Sequence, residues 1–228
     1  MATHLNRGKI PYVPTDAAKL YPETDGKPMA ATDLHRALLI WTLQALEAHF
    51  SQIPEVYVSG DIMMYDVEGP HRTAVSPDVL VSFGIGTKKR RTYKVWEEGK
   101  PPEFAMEFSS ESTYENDLTG KMDIYAAMGI QDYFLYDAEG RYLPSSLMGF
   151  ELVNGAYVGI PANADGGIHS RALNLDFHLR DDGDLAIYAP SAGEWLQTPT
   201  EVAEARAEKA EAEVARLREQ LARLQRDP

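Results

Sequence analysis

The chain has no cysteine in its 228 residues, so disulfides and thiolate metal sites are excluded. Any metal centre has to be built from oxygen or imidazole donors. No long apolar run and no N-terminal apolar segment of the signal type are present, and a soluble cytoplasmic protein is expected. Positive charge is scarce: 22 Lys and Arg stand against 35 Asp and Glu, a formal net charge of -13. That balance argues against a protein that coats nucleic acid with a uniformly basic surface. It does not exclude one that handles phosphates locally, because local fields outweigh the sum. Walker-type and dinucleotide-binding glycine motifs are missing, and Ser109 and Ser110 do not lie in a nucleophile elbow. His4, His49, His71, His169 and His178 show no metal-ligand spacing.

What remains is a chain 44% hydrophobic, enough for a real core. Residues 1–29 hold several prolines and few periodic positions and read as an irregular lead-in. Residues 30–198 read as one globular domain and residues 199–228 as a helical tail. Thr32 is placed to cap a helix with apolar positions Leu34, Ala37, Leu38, Trp41, Ala45 and Leu46, ended by Pro54. Strand-like runs follow at about 55–65, 75–83 and 103–108. A second helix is expected from Ser112-x-x-Glu115, a capping-box pattern, through Leu118, Met122, Tyr125 and Ala126 to Gly129. A strand at 131–136 and shorter strands to about 189 complete the domain, with Asn154-Gly155 a hairpin signal. The succession of strand, helix and strand from 103 to 136 reads as a crossover unit in an α/β or mixed α+β fold. From Glu201 to Arg226 the composition turns to Ala, Glu, Arg and Leu. Ala203, Ala207, Ala210, Val214, Leu217, Leu221 and Leu224 form a heptad stripe, which points to a parallel or antiparallel coiled coil in a homodimer through residues 201–226, or to one amphipathic helix packed on its own domain.

Two acids stand inside runs that otherwise bury themselves. Asp78 follows Pro77 and opens Val79-Leu80-Val81; Glu107 closes Phe104-Ala105-Met106. A charge there is costly unless it is paired or bound to a metal. On neighbouring strands the two would come within reach of one divalent cation, which needs only one or two carboxylates. Asp117 and Lys121, four apart on the second helix, share a face that Tyr125 extends. Lys121 would reach the acids, and Asp117 would orient it. A basic run, Lys88, Lys89, Arg90, Arg91 and Lys94, supplies possible phosphate contacts or merely a solvated loop.

Three segments together resemble the Uma family of restriction-endonuclease-like proteins, a branch of the PD-(D/E)XK nuclease superfamily. They are Pro77-Asp78-Val79-Leu80-Val81, residues 102–110 ending in Glu107-Phe108-Ser109-Ser110, and Asp117-x-x-x-Lys121-x-x-x-Tyr125 continuing to Asp137. The similarity runs from about residue 30 to 198. It implies a central mixed sheet flanked by helices and an endonuclease that hydrolyses DNA with Mg²⁺ or Mn²⁺. It implies Asp78 and Glu107 as metal ligands, helped by the backbone carbonyl of Phe108. The wider superfamily carries its lysine two residues after the second acid, where this chain has Ser109. The family pattern places a lysine on the following helix, matching Lys121. His35 matches a histidine often found on the first helix, with a role in positioning water or phosphate. The alternative reading is a non-cleaving module that binds nucleic acid or protein and keeps the nuclease fold.

Overall fold

The computed structural model describes residues 21–23 and 32–224. Most of the 1–29 lead-in and the last residues of the tail therefore lie outside the described residues. Helix α1 (Asp33–Phe50) starts as expected at Thr32, whose Oγ1 accepts from the His35 N–H at 3.1 Å. It buries Thr42, Ala45, Leu46 and Phe50, while Leu34 in its first turn stays exposed.

The centre is a six-stranded mixed sheet in the order β1–β4–β6–β7–β8–β9. Its strands are β1 (Val56–Ser59), β4 (Val79–Phe83), β6 (Phe104–Phe108), β7 (Asp132–Tyr136), β8 (Leu147–Val153) and β9 (Ala156–Gly159). Within this sheet only β6 and β7 pair in parallel, joined by two short helices, α3 (Tyr114–Asp117) and α4 (Gly120–Met128). A three-stranded sheet pairs β2 (Met64–Tyr65) with β3 (Ala74–Val75) and β5 (Tyr93–Lys94), and the one-turn helix α2 (Val95–Glu98) follows β5. A four-stranded antiparallel sheet holds β10 (Ile168–Ser170), β11 (Leu175–Leu179), β12 (Leu185–Ala189) and β13 (Glu194–Trp195).

Strand alternation divides the core in two. Val79, Val81, Phe104, Met106 and Phe134 pack with Leu46 of α1 and with Phe177 and Ile187 of the four-stranded sheet. Leu80, Ala105, Tyr133 and Leu135 pack on the other face with Tyr125 of α4, Met64 and Tyr93. Both faces of the central strands are thus covered, which is why they read as continuous apolar runs.

Three local expectations are corrected. The run 75–83 is two strands in different sheets, parted at Ser76-Pro77-Asp78, where proline offers no N–H to a ladder. The second helix is broken at Thr119 (φ -132°, ψ -84°) into α3 and α4. Its capping box does not form: the Ser112 hydroxyl pairs with that of Ser110 at 3.3 Å, and Glu115 accepts from the Tyr114 hydroxyl. Asn154-Gly155 does make the β8–β9 hairpin, with φ of 52° and 83° in the left-handed region that such turns require.

The last helix, α5 (Pro199–Leu224), has the capping box that the earlier one lacks. The Glu201 N–H donates to Thr198 Oγ1 at 3.2 Å, and the Thr198 N–H donates to Glu201 Oε2 at 2.6 Å. The Trp41 indole N–H on α1 also donates to the Glu201 carboxylate. Beyond the half-buried Ala205, the described side chains of the helix are exposed. No helix among the described residues is long and apolar enough to cross a membrane.

Candidate functional site

Register brings the two acids together. Val79 of β4 stands opposite Met106 of antiparallel β6. One step further, Asp78 in the bend before β4 comes against Glu107, at the end where parallel β6 and β7 terminate. Asp78 Oδ2 accepts from the Phe108 N–H at 2.7 Å, and His35 Nε2 lies 3.4 Å from Asp78 Oδ1. The His35 ring meets Phe108 edge-on, with centroids 5.6 Å apart. α1 thus reaches the site from one side of the sheet.

From the other side come α3 and α4. Glu107 is completely buried. Its Oε1 accepts from the Tyr125 hydroxyl at 2.5 Å and its Oε2 from Lys121 Nζ at 2.7 Å. Lys121 Nζ also lies 3.0 Å from Asp117 Oδ1, so the pair survives the helix break. Asp117 Oδ1 has no well-aligned hydrogen bond and depends on that ammonium. Asp117 Oδ2 accepts from Ser109 Oγ at 3.0 Å, and the Tyr133 hydroxyl donates to the Asp117 carbonyl. Asp117 and Lys121 are a buried pair and not the exposed one that spacing alone would suggest. Ser109 supports Asp117.

The electrostatics follow from burial. Desolvation pushes the Glu107 carboxyl well above the usual carboxylate range; Lys121 opposes this, and the Asp78 and Asp117 charges add to it. Burial would also raise Asp78, but the His35 hydrogen bond, the Lys121 charge and the Phe108 N–H reverse it and hold that carboxyl below its ordinary value. Burial pulls Lys121 down, yet the charges of Glu107, Asp117 and Asp78 outweigh it and keep the ammonium protonated. The hydrogen bond with Asp78 raises His35 against the effect of burial.

Sequence reasoning missed Asp61. It follows β1 in the left-handed region, at φ 51°, with its N–H bonded to the Pro77 carbonyl at 3.0 Å. Burial and then the Asp78 charge raise its carboxyl, while His35 and Lys121 pull it back. Gly60 before it lies so close to the Asp78 carbonyl that any Cβ would overlap the oxygen. A Gly-Asp pair after a strand signals only a turn. The pairing of β1 with β4 is what carries it to the acids.

The basic run does not gather at this end. It follows Phe83, at the far end of β4 from Asp78. Arg90, expected among the phosphate contacts, turns inward. Its guanidinium is bidentate to Glu98 at 2.7 Å, bonds the Ile85 carbonyl and lies 4.2 Å over the Tyr57 ring. Its side chain is only 3% exposed, because a buried guanidinium needs all those acceptors. Lys94 pairs with Glu97 at 2.8 Å, and Arg91 with Glu23. Lys88 and Lys89 remain exposed, with Lys88 Nζ 3.4 Å from the Glu98 carboxylate.

The donor set suits a hard divalent cation. Asp78, Glu107 and a main-chain carbonyl would all offer oxygen, and each engaged carboxylate oxygen keeps a further lone pair. No group of three or more His, Asp or Glu side chains among the described residues is arranged to hold a metal. Two carboxylates are nevertheless the complement Mg²⁺ takes while keeping most of its waters.

Comparison with known proteins agrees with the resemblance. Residues 21–210 match the Uma2 family model, described as "Putative restriction endonuclease". The match spans most of the chain, and the protein belongs to that family. A crystal structure described as "a putative nuclease belonging to DUF820", from Anabaena variabilis, is similar at 12% sequence identity with a TM-score of 0.47. That similarity covers 66% of this chain and 81% of the other. No curated protein matches the sequence.

Proposed function

We propose that the protein is a metal-dependent endodeoxyribonuclease of restriction type. The observation that carries the reading is Asp78 set against Glu107 by register, with Lys121 2.7 Å from Glu107 in the same buried cluster. Asp78, Glu107 and the Phe108 carbonyl would hold Mg²⁺ or Mn²⁺. Such an ion, when bound, polarises a phosphate and lowers the pKa of coordinated water. Lys121 orients the attacking water or offsets charge developing on the phosphate. Asp117 and Ser109 fix the Lys121 ammonium, and His35 positions water or phosphate beside Asp78. Hydrolysis would leave a 3′-hydroxyl and a 5′-phosphate, as the family resemblance implies. The partners are DNA and a second copy of the chain, joined through residues 201–226, and the setting is the cytoplasm.

A non-cleaving module that keeps the fold is the second reading. The net charge of -13 favours it, as does the engagement of both Glu107 oxygens by Tyr125 and Lys121.

The test is cleavage of supercoiled plasmid with Mg²⁺ or Mn²⁺, beside a chelator control and the Asp78→Ala protein, whose folding is checked by circular dichroism. Nicking that needs metal and disappears in folded Asp78→Ala is the expected result. Clean wild-type protein that cuts none of several DNAs with either metal would move the assignment to the binding module.

A further inference from the structure

After its first turn α5 leaves the domain with an apolar stripe that nothing among the described residues covers. Val214, Leu217 and Leu221 are 46%, 51% and 60% exposed. We propose that a second copy of this helix covers the stripe and runs parallel to it, as a two-stranded coiled coil. The inference rests on the dimer named above and assigns its direction; it does not depend on the nuclease chemistry.

The heptad positions carry the argument. Ala207, Val214 and Leu221 fall at a, and Ala210 and Leu217 at d. Valine at a beside leucine at d favours two strands over three. Arg206 and Glu213 occupy g, and Glu211 and Arg218 occupy e. In a parallel pair each g residue meets the e residue five positions on in the other helix. Arg206 then meets the partner's Glu211, and Glu213 meets the partner's Arg218, each contact occurring twice by symmetry. Parallel alignment also stacks Val214, Leu217 and Leu221 on their own counterparts, which concentrates burial in one half of the stripe.

No antiparallel register has both features: setting Val214 on the partner's Ala210 keeps opposite charges together but lays Leu217 and Leu221 on alanines, and setting Leu217 on the partner's Leu221 keeps the burial but loses the charge pairs. With Val214 set against the partner's Leu217, Glu213 faces the partner's Glu213 and Leu221 falls on the partner's Ala210. Glu213 does accept from Arg216 in its own helix at 2.8 Å. That pair is exposed and competes weakly with an interhelical one.

Direction has a consequence for the domains. The first turn of α5 is fixed to Trp41 of α1 through Glu201. A parallel coil therefore puts both domains at one end, their acid clusters related by a two-fold axis along the coil. That is the symmetry for meeting two strands of one duplex.

The test uses the full chain with Leu217→Cys. Because the chain has no other cysteine, only the symmetric disulfide can form. Light scattering should give twice the 25.4 kDa chain mass, and oxidation should yield a covalent dimer that dithiothreitol releases. In the otherwise native chain, Glu213→Arg and Arg218→Glu should each weaken the dimer by about tenfold or more. Mixing the two variants should restore it, since the mixed pair regains both attractions. A monomer at tens of micromolar, or a trimer, would overturn the two-stranded coil. A dimer that does not cross-link at position 217 would overturn the parallel direction alone.

Discussion

At the residue scale, the contact between His35 and Asp78 brings pH into the fold. The raised pKa of His35 means its contribution to stability is complete below the ordinary histidine value and is lost as pH rises through the raised one. The lowered pKa of Asp78 means the opposite: its contribution is present above the ordinary aspartate value and is lost as pH falls through the depressed one. The contact is therefore most effective between about pH 4 and pH 6.5. Thermal unfolding of wild type and His35→Gln should differ most in that window and less above it. A difference that does not change with pH would assign His35 to packing on Phe108 instead. His35 also shows how legible the site is from sequence. Asp78 and Glu107 stand out because charge inside apolar runs demands a partner, and Lys121 stands out because it shares a helix face with Asp117. Nothing local marks Asp61, whose place beside Asp78 is a product of strand pairing.

At the scale of elements, the acids are held by the join between β1 and β4. Ser59 pairs with Leu80, and the chain then turns through Gly60 and Asp61 directly against the Asp78 backbone. A Cβ at Gly60 would overlap the Asp78 carbonyl and come within 3.2 Å of the Leu39 side chain. Gly60→Ala should therefore cost about 1–3 kcal/mol, the range for forcing atoms into a packed site. It should also reduce metal-dependent nicking, because Asp78 has to shift. Asp61→Gly makes the contrasting case: it relaxes a non-glycine residue at φ 51° and should leave the melting temperature unchanged or higher while slowing nicking. Differential scanning fluorimetry beside the plasmid assay checks both, and a Gly60→Ala protein indistinguishable from wild type would refute the close approach. Elements were less legible than residues for a related reason. The capping-box pattern at Ser112 was misleading because Ser110 and Thr113 draw the local hydroxyls into their own turn. The working box at Thr198 and Glu201 lay just before the change of composition that marked the tail.

At the scale of the whole molecule, the proposed function requires an acidic protein to bring a polyanion to a cluster of carboxylates. The exposed lysines of the basic run, Lys88 and Lys89, sit beyond Phe83, a strand of five residues and roughly 17 Å from Asp78. Phosphates on one strand of a duplex are spaced about 3.4 Å along the axis, so the two ends of β4 are on the order of five phosphates apart. Under the proposed function, DNA cut at Asp78 would touch Lys88 and Lys89 without the loop approaching the chemistry. Arg90 serves only to hold that loop, through Glu98 and Tyr57. Binding should thus be weakly salt-dependent for a nuclease, and the double variant Lys88→Gln/Lys89→Gln should flatten it further. Each lost phosphate contact lowers the slope of log K against log salt by about 0.9. The nicking rate at saturating DNA should stay at the wild-type value, because neither lysine reaches the acid cluster. Fluorescence anisotropy across a salt series, run with Ca²⁺ in place of Mg²⁺ to suppress cutting, measures the slope. An unchanged slope would take the loop off the DNA path and leave the duplex to be held by the acid end alone, a poor arrangement at a net charge of -13.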